Sequence, residues 1–341
     1  MSIHTTEVVL PGLVEPDGLQ VRERTIDEPG QGQALVRVEA TGVSFAEKGM
    51  RRGRYPGQPA FPFVPGYDLV GTVAAVGPGV DEALVGRRFA ALTKTGGWST
   101  YVVLAAADLV DVPAGLDPAE AESMIVNGVT AWQMLHRDAK VGAGDTVLVH
   151  GANGGVGTVL VQLARLAGAT VVGTAAPRHH EQLRAMGVQP VDYRDPALAD
   201  RLAELAPAGF DAVFDHLGGD SFRRSFAMLA PGGTLVCYGT AAGLEDSGSV
   251  VWLFVRMLVP ILLRDALPNG HHATFYNLWG GSWRRAAFRT RLHTDLTGVF
   301  ALLSDGALTA HVAARLPLTE AGTALALAES RTVLGKVVLL P

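Results

Sequence analysis

The fold of this chain is decided by one stretch, Thr146-Val147-Leu148-Val149-His150-Gly151-Ala152-Asn153-Gly154-Gly155-Val156-Gly157. Its first four residues are apolar or β-branched, which predicts a buried strand. After the glycines, apolar residues recur at helical spacing and would form one stripe on a helix, namely Leu160, Leu163, Ala164 and Ala167. Gly168 is expected to end that helix. The sequence therefore predicts a strand, a glycine-rich turn and a helix in direct succession.

Strand and helix patterns continue to alternate after this stretch. Further strands are predicted at Thr170–Thr174, Pro190–Tyr193, Ala212–Asp215 and Thr234–Tyr238, with helical segments between them. Such alternation predicts a doubly wound parallel sheet of the Rossmann type. Beyond residue 240 we expect an apolar run at Val250–Leu263, a turn at Pro268-Asn269-Gly270 and a strand at Ala273–Leu278.

The segments at the two ends of the chain have a different character. Short β-branched stretches separated by glycine and proline, such as Leu35–Ala40 and Leu69–Val76, predict a loop-rich β domain. A final strand is predicted at Gly335–Leu340. The length of 341 residues suits two domains, each able to bury a core.

The composition excludes several classes of protein. Hydrophobic residues make up 48% and charged residues 18%, as in a globular enzyme, and the net charge is −5. Basic residues are scattered, so we expect a small-molecule partner and no nucleic acid. The single cysteine, Cys237, excludes a disulfide framework and is expected to be a small buried hydrophobe. No leader is recognisable, and Arg256 and Pro260 interrupt the longest apolar run, so a cytoplasmic location without membrane contact is predicted.

The turn at Gly151–Gly157 is suited to binding a dinucleotide. Glycines let the backbone approach a pyrophosphate, and the helix N-terminus presents free N–H groups and a partial positive charge to it. The position between a strand and an amphipathic helix supports this interpretation over a turn with no ligand. Contacts are expected from Asn153, Gly154, Gly155 and Val156.

The second predicted strand indicates which dinucleotide is bound. An NAD site places an acidic residue about 20 positions after the glycines to bind the ribose. Here the strand ends Thr174-Ala175-Ala176-Pro177-Arg178, with no acid before Glu181. The sequence therefore predicts NADPH, with Arg178 contacting the 2′-phosphate and Tyr193 flanking it; the alternative for Arg178 is a solvated side chain. A charge-assisted bond of this kind favours NADPH by about ten- to a hundredfold.

At these residues the chain resembles the medium-chain dehydrogenase/reductase superfamily, specifically its zinc-independent quinone oxidoreductase branch. The resemblance covers nearly the whole chain. It rests on Gly42-Val43-Ser44, Pro65–Gly71, Asn127–Ala131, the turn Gly151–Gly157, Asp215–Gly219, Pro231-Gly232-Gly233 and the closing Gly335–Leu339.

The resemblance implies a Rossmann domain inserted into a GroES-like, mostly β domain. The GroES-like domain would comprise residues 1–124 and 305–341, and the NADPH-binding domain residues 125–304 with an aromatic-rich segment at 250–283. It also implies a homodimer joined near Ala273–Leu278. The aromatic residues of that segment either line a pocket for a flat acceptor or form the dimer core. Further cofactor contacts are expected from Thr130, Thr174, Leu217, Tyr238, Gly239 and Lys336.

The chain departs from the zinc enzymes of the superfamily at their ligand positions. Ser44 replaces a cysteine, Tyr67 replaces a histidine, and the third ligand region offers Asn127. A catalytic zinc needs about three protein ligands, and adjacent histidines such as His179-His180 are poorly spaced to chelate. No metal is therefore predicted.

Without a metal, reduction of a conjugated acceptor is the expected chemistry. Hydride addition to a quinone or an α,β-unsaturated carbonyl leaves a delocalised anion that needs only hydrogen-bond donors and a proton. Ser44, Tyr55, Asn127 and Thr130 are the predicted donors, with Asn127 and Thr130 orienting the cofactor. The alternatives are helix capping or ordinary helix packing for Asn127 and Thr130, and packing under proline for Tyr55.

Asp68 is expected to orient buried groups, and Lys48 is a weaker candidate proton donor. Two other functions stay open: a tailoring enoyl reductase of a polyketide-type pathway, and a non-catalytic NADPH-binding sensor or RNA-binding protein.

Overall fold

A computed structural model of the chain describes residues 2–239, 258–259, 261–263, 265 and 270–341. These residues form two compact units, Met1–Val129 with Trp283–Pro341, and Thr130–Ser282. The domain boundaries predicted from the sequence follow residues 124 and 304. In the structure the helix over residues 285–304 belongs to the first unit, where its Arg289 bonds Asp108 at 2.6 Å.

The N-terminal part of the first unit consists mostly of strands. They are β1 (Ile3–Val9), β2 (Gln20–Ile26), β3 (Gln33–Val43), β4 (Asp68–Val76), β5 (Arg88–Leu92), β6 (Tyr101–Ala105) and β7 (Val110–Asp111). The helices are α1 (Phe45–Arg51), α2 (Pro118–Ser123) and α3 (Ile125–Gln133), the last of which crosses the boundary between the units.

The second unit is an open parallel sheet. Its strands are β8 (Thr146–His150), β9 (Thr170–Ala175), β10 (Gln189–Asp192), β11 (Phe210–Asp215), β12 (Leu229–Cys237) and β13 (His272–Phe275), in the order β10-β9-β8-β11-β12-β13. The helices described are α4 (Gly155–Leu166), α5 (His180–Ala185), α6 (Leu198–Leu205) and α7 (Asp220–Ala227). The strand order reverses at β8, so the carboxyl ends of β8 and β11 mark the point at which such sheets bind ligands.

The C-terminal segment completes the sheet of the first unit. It contains α8 (Arg285–Ser304), β14 (Val312–Pro317), α9 (Ala321–Glu329) and β15 (Lys336–Leu340). β15 pairs antiparallel with β3, and the sheet order is β14-β15-β3-β4-β5-β7, with β6 on β3. A parallel Rossmann sheet is thus inserted into a mostly β domain, and the predicted fold class is confirmed.

Several predicted strands end earlier or begin sooner in the structure. β10 ends at Asp192 and β12 at Cys237, so Tyr193 and Tyr238 follow their strands rather than closing them. β13 ends at Phe275, so residues 276–278 of the predicted strand lie outside it. Gly168 has a φ of +85°, which ends α4 as predicted.

Some predictions concern residues outside the described part of the chain. Most of the apolar run at 250–263, with Trp252 and Phe254, lies there, as do Pro268 and Asn269 of the predicted turn. Cys237 is fully buried, as predicted, and burial raises the pKa of its thiol. Among the described helices, none has both the length and the apolar character needed to cross a bilayer.

Candidate functional site

The glycine turn between β8 and α4 has a geometry that requires its glycines. Gly151 has a φ of +68°, and its carbonyl oxygen accepts a hydrogen bond from Gly154 N at 2.9 Å. A Cβ on Gly157 would lie 2.3 Å from that same oxygen, so the first turn of α4 packs directly on the glycine loop. Gly154 is the N-cap and has no side chain to occupy the helix end. The first N–H groups of α4 are therefore available to an anion.

A chain of side-chain hydrogen bonds holds this turn against the ends of the neighbouring strands. Thr174 Oγ1 on β9 accepts from Gly151 N and lies 3.2 Å from His150 Nδ1. His150 Nε2 lies 3.1 Å from the hydroxyl of Ser225 on α7, which donates to Asp215 Oδ2 at 2.7 Å. The ends of β8, β9 and β11 are thus cross-linked directly beneath the turn.

Within this network the histidine is held in its neutral form. Burial lowers the pKa of His150, which keeps the imidazole neutral and able to bridge two hydroxyl groups. Asp215 also accepts from the hydroxyl of Ser221 and from Leu217 N, each at 2.7 Å. Leu217 and Tyr238, two predicted cofactor contacts, are positioned by Asp215, since Tyr238 N donates to its carbonyl at 3.0 Å.

The predicted phosphate contacts lie at the ends of β9 and β10. Asp192 pairs with Ala175 in the parallel ladder, so Tyr193 and the segment Ala176–Arg178 leave the sheet at the same edge. Arg178 is exposed, and its Nε donates to His179 Nε2 at 3.2 Å. Tyr193 is 47% exposed. Both side chains are accessible to a ligand beside the end of β9. Thr174, in contrast, is buried and uses its hydroxyl within the protein.

In the first unit, Ser44 begins α1 with a capping box. Glu47 Oε2 accepts from Ser44 N at 2.8 Å and from the Ser44 hydroxyl at 2.5 Å. Glu47 is 1% exposed, and its other oxygen, Oε1, is buried with no hydrogen-bond partner. Burial, together with the charge of Asp68, raises the pKa of Glu47 to about 7, although the bonds from Ser44 oppose the shift. Ser44 is thus coupled to a carboxyl group that titrates near neutral pH.

The predicted donor Tyr55 lies against the tyrosine that replaces a zinc ligand. The hydroxyl groups of Tyr55 and Tyr67 are 2.5 Å apart, and their rings meet edge to face. Lys94 Nζ lies 6.0 Å from the centre of the Tyr55 ring and donates to Gly57 O at 3.0 Å. The packing of Tyr55 is therefore with another phenol that can share its proton, rather than with proline alone.

Behind this region is a buried cluster of charged side chains. Lys336 Nζ lies 2.7 Å from Asp68 Oδ2 and 3.1 Å from Glu122 Oε1, and all three residues are buried. Burial and the charge of Asp68 raise the pKa of Glu122 well above its usual value, which favours the neutral form of this carboxyl group. A Cβ on Gly42 would lie 2.1 Å from Lys336 Cε, so the pair needs a glycine there.

Three of the other predicted residues, Asn127, Lys48 and Lys336, have polar partners within the protein. Asn127 and Thr130 are three positions apart on α3 and share a face, and both are buried. The Asn127 amide donates to Ser123 O at 3.1 Å, as in the helix-packing alternative. Lys48 is buried, with its amine 4.0 Å from Glu329. Lys336, predicted to contact the cofactor, uses its amine in the buried cluster.

Comparison with known proteins places the chain in a family. Residues 30–114 match the model for the alcohol dehydrogenase GroES-like domain, and residues 186–339 match the model for zinc-binding dehydrogenases. The chain is 32% identical to the 2-haloacrylate reductase of a Burkholderia species over 96% of both chains. It belongs to the medium-chain dehydrogenase/reductase superfamily. The structure of Escherichia coli quinone oxidoreductase complexed with NADPH matches 98% of the present chain and 100% of the E. coli chain. The TM-score is 0.85 and the sequence identity is 25%. The predicted quinone oxidoreductase branch is therefore confirmed.

The chain is also similar to the rat synaptic vesicle membrane protein VAT-1 homolog. The two are 37% identical over 65% of this chain and 56% of the rat protein. The chain thus spans little more than half the length of this relative.

Sequence reasoning missed several residues that build the site. Glu47 carries the Ser-x-x-Glu signature of a capping box, so its contact with Ser44 was predictable. Glu122, Ser225 and the role of His150 carry no local signal, because their partners are distant in sequence. Among the described residues, no three His, Cys, Asp or Glu side chains are grouped as metal ligands would be.

Proposed function

We propose that this protein is a zinc-independent, NADPH-dependent reductase of quinones or α,β-unsaturated carbonyl compounds. The observation that carries the proposal is the glycine turn, which stands at the carboxyl end of the central parallel strand with an uncapped helix N-terminus behind it. NADPH is bound by the E. coli relative, and the Burkholderia relative is a reductase of a conjugated carboxylate. We further propose that the protein acts in the cytoplasm as a homodimer.

The residues present fit the cofactor. The amides of Gly155 and Val156 would bind the diphosphate, and Arg178 the 2′-phosphate, with Tyr193 beside it. When bound, NADPH would supply a hydride to the acceptor. The protein's own part would be to stabilise the resulting oxyanion and to provide one proton, for which the hydroxyl groups of Ser44 and Tyr55 are the candidates.

The proposal is tested by mixing purified protein with NADPH and a panel of acceptors in a stopped-flow instrument. The panel contains benzoquinones, naphthoquinones, 2-haloacrylates, alkenals and an enoyl thioester. Loss of NADPH absorbance with at least one of them is expected. Faster turnover of the enoyl thioester than of any quinone would favour the tailoring reductase, and tight NADPH binding without oxidation by any acceptor would contradict a catalytic role.

Arg178 is expected to set the preference for NADPH. The Arg178→Gln variant should bind NADPH about ten- to a hundredfold more weakly, because a charge-assisted bond to the 2′-phosphate is lost, while affinity for NADH stays the same. Fluorescence titration with both cofactors measures this. The Arg223→Gln variant is the matched control and should bind both cofactors as the wild type does, since Arg223 is an exposed arginine on α7 that pairs with Asp220. Equal weakening of NADH binding by Arg178→Gln would contradict the assignment.

Zinc independence gives a separate prediction. Dialysis against a strong chelator should leave the rate of NADPH oxidation unchanged, because Ser44 and Tyr67 stand at two ligand positions of the zinc enzymes. Elemental analysis before and after dialysis monitors the metal content. Loss of activity that added zinc restores would contradict this part of the proposal.

A further inference from the structure

The contact between Ser44 and Glu47 does more than begin a helix. A capping box needs one carboxylate oxygen, and Oε2 of Glu47 fills that place by accepting from Ser44 N. The same oxygen also bonds the Ser44 hydroxyl, while Oε1 is buried without a hydrogen-bond partner. An anionic oxygen in that position would be costly, whereas the carbonyl oxygen of a neutral carboxyl is tolerated more easily. The geometry therefore favours a protonated Glu47.

The charges around Glu47 also favour its protonated form. The charge of Asp68 on β4 raises the pKa of Glu47, and Asp68 is itself paired with Lys336 on β15. Glu122 on α2 lies 3.1 Å from the same Lys336 amine, and burial with the charge of Asp68 raises its pKa well above the usual value. The cations on α1 are engaged elsewhere, because Arg51 bonds Glu329 on α9 at 2.7 Å and Lys48 lies 4.0 Å from it.

Ser44 connects this buried acid to the outside of the first unit. Glu47 is 1% exposed, whereas Ser44 is only half-buried and is followed by Phe45, which is 48% exposed. A serine hydroxyl can donate one proton while it accepts another, so it can pass a proton between a buried carboxyl and a group that binds beside it. This is a relay through one hydroxyl group.

We propose that Glu47 is the proton donor of the reaction and that its proton reaches the reduced acceptor through the Ser44 hydroxyl. The inference rests on the proposed function. The acceptor would receive one proton and two electrons as hydride from bound NADPH, which would leave an enolate or hydroquinone anion. The O–H bond of Ser44 then breaks as its proton passes to that anion. The carboxyl proton of Glu47 re-forms the hydroxyl, and the carboxylate regains a proton from solvent before the next cycle.

The test compares wild type with Glu47→Gln and Glu47→Asp in single turnovers between pH 5 and 9. Glutamine keeps the capping box but holds no transferable proton. The wild-type rate should fall about tenfold per pH unit above pH 7, as the protonated fraction of Glu47 falls. The glutamine variant should be about ten- to a hundredfold slower at pH 6 and lack this decline, and the aspartate variant should restore it at a shifted pH. Asp117→Asn, which alters the cap of α2, is the matched control and should keep the wild-type profile.

The outcomes separate the relay from the proposed function. Wild-type activity combined with an unchanged rate and pH profile in Glu47→Gln would overturn the relay alone. No NADPH oxidation by the wild type with any acceptor would overturn both.

Thermal unfolding provides a readout that does not depend on activity. Because the pKa of Glu47 is raised from 4.5 to about 7 on folding, its contribution to wild-type stability is complete below pH 4.5 and is lost as the pH rises to 7. The melting temperature of Glu47→Gln relative to wild type should therefore rise across that interval. A constant difference between the two would contradict the proposed titration.

Discussion

Substitution of Lys336 by methionine is expected to lower the free energy of unfolding by about 3–5 kcal/mol. The amine lies 2.7 Å from Asp68 in a region where both side chains are almost completely inaccessible. Burial alone lowers the pKa of Lys336, but the charge of Asp68 and the hydrogen bonds from the amine to Asp68 and Glu122 outweigh this effect and raise it, so the amine is cationic at every physiological pH. Its removal leaves the Asp68 carboxylate buried without a counter-ion. Chemical denaturation at pH 7 measures the loss.

Two further variants show whether the unpaired anion causes that loss. Adding Asp68→Asn to Lys336→Met removes the charge and should restore much of the stability, since the asparagine oxygen can still accept from Val126 N, as Asp68 Oδ2 does at 3.1 Å. Glu122→Gln should change stability by less than about 1 kcal/mol, because the raised pKa of Glu122 favours the neutral form that glutamine resembles. A loss below about 1 kcal/mol for Lys336→Met alone would contradict this picture of the cluster.

Replacing Gly157 with alanine should reduce the affinity for NADPH by at least about a hundredfold, equivalent to about 2.8 kcal/mol. The new methyl group would lie 2.3 Å from the carbonyl oxygen of Gly151, and no flexible side chain is there to give way. The glycine loop and the start of α4 must then separate, which moves the amides of Gly155 and Val156 away from the diphosphate. Titration followed by NADPH fluorescence measures the affinity.

The control for this variant is Gly142→Ala, at a glycine in the segment that leads into β8. A methyl group on Gly142 meets no atom within 4 Å, so NADPH binding should be unchanged. Circular dichroism establishes that both variants are folded. Wild-type affinity in a folded Gly157→Ala protein would show that the turn does not bind the diphosphate.

The fold was predictable because its signals are local. The strand at Thr146–His150, the glycine turn and the start of the helix at Gly155 were located to the residue, since the apolar run and the change to helical spacing occur within a short window. Strand ends were less predictable: Tyr193 and Tyr238 look like strand residues by propensity, but the parallel ladders stop one residue earlier.

The candidate site was predictable only in part. The glycine turn, and the absence of an acidic residue where an NAD site would bind the ribose, are both recognised from residue types at fixed spacing along the chain. In contrast, the contact between Asp68 and Lys336 joins residues 268 positions apart, and that between His150 and Ser225 joins residues 75 positions apart. Such pairs depend on how strands are ordered in a sheet, and nothing in the local pattern of either residue indicates its partner.

Dinucleotide binding at the glycine turn is tested most directly by calorimetric titration of the purified wild-type protein with NADPH. We expect saturable binding of one NADPH per chain, and binding of NADH that is weaker by about ten- to a hundredfold. A folded protein that binds neither cofactor at millimolar concentration would contradict the central claim that the turn after His150 binds a dinucleotide.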